Sequence, residues 1–71
     1  MVNHPPHYNK GKHEVIDIIE DIIQFYPPTD AYSIGCVLKY LARAPHKGDY
    51  RESLLKAQWY LNRVIDRLNN A

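Results

Sequence analysis

Tyr32, Gly35, Cys36, Lys39 and Arg43 recur at intervals of three and four residues, so on a helix they share one face. Arg43 offers a planar fork for phosphate oxygens and Lys39 a point charge. A glycine in mid-helix costs about 1 kcal/mol against alanine, and Gly35 is expected to open a gap in this face for a ligand or another backbone. The bland alternative is close helix packing at Gly35 beside a solvated cationic strip. A second group lies in N-H-P-P-H-Y, where His4 and His7 flank a rigid Pro-Pro and Tyr8 follows. Prolines fix the backbone and lower the entropy lost on holding these side chains against a ligand. Farther along, Lys56, Tyr60, Arg63 and Arg67 make a third, basic stripe on the last helix, a face distinct from that of Trp59. Cations beside aromatic rings suit a nucleotide, whose phosphates the cations hold while a ring stacks on the base.

Other chemistries find little support. The chain has three glycines and no G-x-x-x-x-G-K-[ST] motif, which excludes a P-loop phosphate cradle. Asp17, Glu20 and Asp21 have the spacing of a solvated helix face. His4, His7, His13, His46 and Cys36 are metal-ligand types without a zinc spacing, so no metal or cofactor is expected. Cys36 lacks a clear base, and no catalytic residue is assigned.

The elements that must position these residues read as all-α. Residues 1–12 hold two prolines and a glycine and form an extended arm. Val15, Ile18, Ile19, Ile22, Ile23 and Tyr26 recur at helical intervals opposite Glu14, Asp17, Glu20 and Asp21, which predicts a first helix over about 13–26. Pro27-Pro28 ends it. Thr29 or Asp30 caps a second helix to about 44, apolar over most of its circumference and therefore central. Asp49 with Glu52 resembles a capping box that opens a third helix over 50–69. In that helix Leu54, Ala57, Leu61, Val64 and Leu68 form a heptad-like seam, expected to be the core face, with Trp59 on the opposite side.

A chain of 71 residues is a single domain with a thin core. A lone cysteine excludes an internal disulfide, so self-association is expected to supply the missing burial. The net charge of +1 is too near neutral for a surface that tracks a long nucleic acid. No segment has the length and apolarity of a membrane span or the core of a signal peptide, from which a soluble intracellular chain is expected.

The stretches N-H-P-P-H-Y-N-K-G, I-G-C-V-L-K-Y-L-A-R-A, H-K-G-D-Y and L-L-K-A-Q-W-Y-L-N-R-V-I, in this order, resemble a small phage-encoded family formally of unknown function and commonly labelled "phage nucleotide kinase". The resemblance covers nearly the whole chain and implies a nucleotide-like ligand and residence in the cytoplasm of an infected bacterium. Residues and resemblance together suggest a three-helix homo-oligomer, joined through the seam or the Trp59 face, that sequesters a nucleotide-type ligand. A host immune second messenger, trapped as an anti-defence measure, is one such ligand. Lys39, Arg43 and Lys47 would hold phosphate oxygens, His4 and His7 would close over the ligand, and Tyr8, Tyr40 or Trp59 would stack on a base. The alternatives are a nucleoside monophosphate kinase using ATP and magnesium, and a helical module that docks on a host protein.

Overall fold

Two successive prolines set the first boundary. In the computed structural model, which describes residues 14–46 and 48–70, α1 spans Val15–Ile23, α2 Pro28–Arg43 and α3 Tyr50–Asn69. The expected arm, with His4, His7 and Tyr8, lies outside the described residues, as does Lys47. Helix α1 stops at Ile23 rather than near 26, because Tyr26 precedes Pro27, whose ring disfavours the α region for its neighbour. The chain leaves it through short-range bonds from Phe25 N–H to the Ile22 carbonyl, 3.3 Å, and from Tyr26 N–H to the Ile23 carbonyl, 3.0 Å. Helix α2 begins at Pro28, ahead of the expected Thr29 or Asp30 cap. Proline at the first helical position gives up no hydrogen bond, and the Pro27 carbonyl accepts the Asp30 N–H at 2.8 Å and the Ala31 N–H at 3.0 Å. Helix α3 begins as the capping pattern requires, with the Asp49 carboxylate accepting the Glu52 N–H at 3.1 Å. Gly48, at φ +51°, makes the turn before it in a conformation that favours glycine.

Helix α2 packs against both α1 and α3, and these two do not touch each other among the described residues. The three helices therefore form one layer, and the shortest extent of the Cα trace is 14 Å. Between α2 and α3 the buried residues are small: Ser33, Val37 and Ala44 on one side, Ser53, Ala57 and Val64 on the other. Asp30, buried in the first turn of α2, forms an ion pair with Arg67 in the last turn of α3. That pair places the two helices antiparallel.

The seam expected to be the core face of α3 is only partly so. Ala57 and Val64 are buried, but Leu54, Leu61 and Leu68 are 36%, 40% and 62% exposed. The reason is that, among the described residues, α3 has one neighbouring helix. A single row of small residues meets α2, and the leucines, offset by part of a turn, fall on the flank of the layer.

Ala57 sits where the two backbones come close, so Ala57→Leu inserts volume that the contact has no room for. Urea unfolding followed by circular dichroism is expected to show a loss of about 1 to 3 kcal/mol, and an unchanged midpoint would contradict this account of the α2–α3 contact.

Candidate functional site

The α2 stripe and the α3 stripe lie side by side and form one surface. Tyr60, half-buried on α3, is at its centre: its ring stacks on Tyr40 at 6.0 Å and 17°, and meets the edge of Tyr32 at 6.3 Å and 74°. Trp59 packs edge-on against Tyr60 at 4.9 Å. Cations ring these aromatics. Lys39 Nζ, Lys56 Nζ and the Arg43 guanidinium stand 4.6, 5.6 and 5.9 Å from the centre of the Tyr40 ring, and the Arg63 guanidinium lies 5.4 Å over Trp59. Each cation rests on a ring quadrupole and keeps its charge available to a partner.

A groove of about 280 Å³ opens at one end of this surface, lined by Tyr40, Arg43, Gly48, Asp49, Glu52, Ser53 and Lys56. Ligand pockets run from roughly 300 to 1,000 Å³, so it has room for a small group such as a ribose or a base. Its charge is mixed. Asp49 caps α3, and the Glu52 carboxylate is 4.0 Å from Lys56 Nζ. An anion is thus drawn toward Arg43 and Lys39, and hydroxyl or amino groups toward the carboxylates.

Toward α1 a shallow apolar groove of about 270 Å³ runs between Ile16, Ile19 and Ile23 on one side and Tyr32 on the other, with Gly35 and Cys36 in its lining and Lys39 at its edge. A Cβ added at Gly35 would meet Ile19 Cγ2 at 3.5 Å and Ile23 Cγ2 at 3.8 Å. The direction in which the glycine lacks a side chain therefore faces α1 at ordinary contact distance, with room for a methyl group. Cys36 is buried. The Cys36 side chain, first, and the nearby Tyr60 raise the Tyr32 phenol above its ordinary range.

Of the residues singled out by sequence, Lys39, Tyr40, Arg43 and Trp59 come together on this surface, and Gly35 borders it. Tyr60, Lys56, Tyr32 and Arg63 belong to it although the nine site candidates did not include them. Their spacing was visible within each helix. What joins the two stripes is the antiparallel pairing of α2 and α3, which the Asp30–Arg67 ion pair ties together in the fold. Among the described residues no group of three or more His, Cys, Asp or Glu is placed to hold a metal ion, and no helix is long and apolar enough to cross a membrane.

Residues 2–62 match the model of the family DUF3310, described as a protein of unknown function, and the chain belongs to that family. No curated protein and no solved structure matches the chain.

Since the Gly35 Cβ direction points at α1 and meets ordinary van der Waals distances, Gly35→Ala is expected to stabilise the helix by up to about 1 kcal/mol. Thermal unfolding checks it, and a fall in melting temperature would mean that the contact with Ile19 and Ile23 is tighter than described.

Proposed function

We propose that this DUF3310 member binds a nucleotide-type ligand on the aromatic and cationic face of α2 and α3, and holds it without converting it. The observation that carries this reading is the Tyr40–Tyr60 stack, with Lys39, Arg43 and Lys56 all within 5.9 Å of the Tyr40 ring centre. A nucleotide combines a flat base with a dianionic phosphate, and the face offers both complements within one side chain's reach. Tyr32 and Trp59, 73% and 57% exposed, present open ring area for a base. Arg43 and Lys39 take phosphate oxygens, the guanidinium in bidentate fashion. Asp49 and Glu52 border the site as acceptors for ribose hydroxyls. The contribution of His4, His7, Tyr8 and Lys47 rests on the sequence alone.

Retention rather than turnover is favoured by how the reactive groups are engaged. The Asp49 carboxylate caps α3, Glu52 lies beside Lys56, and Cys36 is buried. Sequestering a nucleotide signal, such as a second messenger of bacterial defence against phage, is the action that fits such a surface. The phage setting comes from the motif resemblance.

Isothermal titration with a panel of mono-, di- and cyclic nucleotides tests the site. Arg43→Ala is expected to weaken the best ligand by about 1.5 to 3 kcal/mol, a charge-assisted hydrogen bond's worth, or roughly 10- to 150-fold. Unchanged affinity would remove Arg43 from the site. A phosphorylated product formed from ATP and magnesium would replace retention with the kinase reading, and a panel without any binder would leave the docking-module reading.

A further inference from the structure

The reverse side of the layer carries a second surface, independent of the ligand reading. At about 100° per residue, Leu41 lies about 180° round α2 from Tyr32, and Ile65 about 180° round α3 from Lys56. On α1, Ile18 is about 160° from Ile16, which lines the groove on the front. Val15 and Ile18, Leu41, and Leu54, Leu61, Ile65 and Leu68 thus form an apolar sheet of side chains across all three helices. Every one of them is exposed, Ile18 at 44% and Leu41 at 48%. No large side chain among the described residues is fully enclosed. Stable domains have two packed layers, and the described residues supply one.

We infer that a second copy of the chain covers this face, back to back, around a two-fold axis that runs along the helices. Three points select a copy of the same chain. The face is flat and continuous, with a footprint on the order of 700 Å² from helix lengths and spacings, near the roughly 800 Å² per partner of a standard stable interface. Its apolar residues are aliphatic throughout and unbroken by charge, which makes it self-complementary as a two-fold contact demands. Its rims also differ: Glu14 and Asp21 border it on α1, and Gln58 and Asn62 on α3.

The rims choose the axis. A two-fold running across the helices lays α1 on the partner's α1 and brings acids against acids. One running along them lays α1 of each copy on α3 of the other, so acids meet amides. The levels agree with this. Ile19 lies at Gly35, and Tyr60 touches both Tyr32 and Tyr40, whose midpoint along α2 is next to Gly35. Ile18 and Leu61 therefore sit at one height on opposite edges, and the axis along the helices stacks Ile18 on the partner's Leu61. Both aromatic and cationic faces then point outward, one on each side of a two-layer dimer.

Cross-linking of the full chain in a Cys36→Ser background tests the arrangement. With Ile18→Cys and Leu61→Cys combined, mild oxidation is expected to give a covalent dimer whose peptides link 18 to 61. Since α1 and α3 do not touch within one copy, such a link joins two copies. Ile18→Cys alone is expected to stay unlinked, and an 18–18 link would overturn the chosen axis. Sedimentation equilibrium of the unmodified chain supplies the second readout: twice the 8.3 kDa chain mass is expected, and a monomer at all concentrations would overturn the proposal. Tyr32→Ser, on the front, is expected to leave the dimer intact; its loss there would move the interface to the other face.

Discussion

Helix α2 meets α1 through Gly35 and meets α3 through Ser33, Val37 and Ala44, and among the described residues it is the helix with a neighbour on each side. Both contacts depend on small residues, which let the backbones approach and leave the large side chains to the flanks. A chain with a single such helix builds a row, and a row has two broad faces. Apart from a thin core that includes Ile34, Val37 and Val64, the large residues described then lie on one face or the other. The placement of Tyr32, Tyr40, Tyr60 and Trp59 on the front and of Leu41, Leu61 and Ile65 on the back follows from this constraint.

Charge is sorted by the same geometry. The net charge of +1 conceals an uneven distribution, since four of the eight acids fall within 14–21 and seven of the nine basic residues come after 38. The acids line the outer edge of α1. Lys39, Arg43, Lys56 and Arg63 share the front of α2 and α3, where the tyrosines and the indole hold them near 5 Å above aromatic rings. A local cationic face therefore coexists with an almost neutral chain. An aliphatic back, meanwhile, is free of any charge that would oppose burial.

The helices were legible in the residues because the isoleucines of α1 and the cap at Asp49 act locally. Boundaries shifted where proline geometry intervened, at Tyr26 and at Pro28. The central place of α2 was also legible from its apolar circumference. What escaped was the core face of α3: the periodicity of Leu54, Leu61 and Leu68 reports that a face is apolar, and not whether it meets a neighbour in the same chain. Gly35 was ambiguous for a related reason, since a missing side chain serves a ligand or a helix equally well, and the structure puts Ile19 and Ile23 in its Cβ direction while the groove passes beside it. Tyr60 and Lys56 joined the site through pairing of two helices, which no single-helix period contains.

Native mass spectrometry of the intact chain, alone and with mono-, di- and cyclic nucleotides, tests the central claim that this layer is one half of an assembly carrying a nucleotide on its cationic face. The expected result is a dimer that retains an unmodified nucleotide. A monomer that retains none would contradict it.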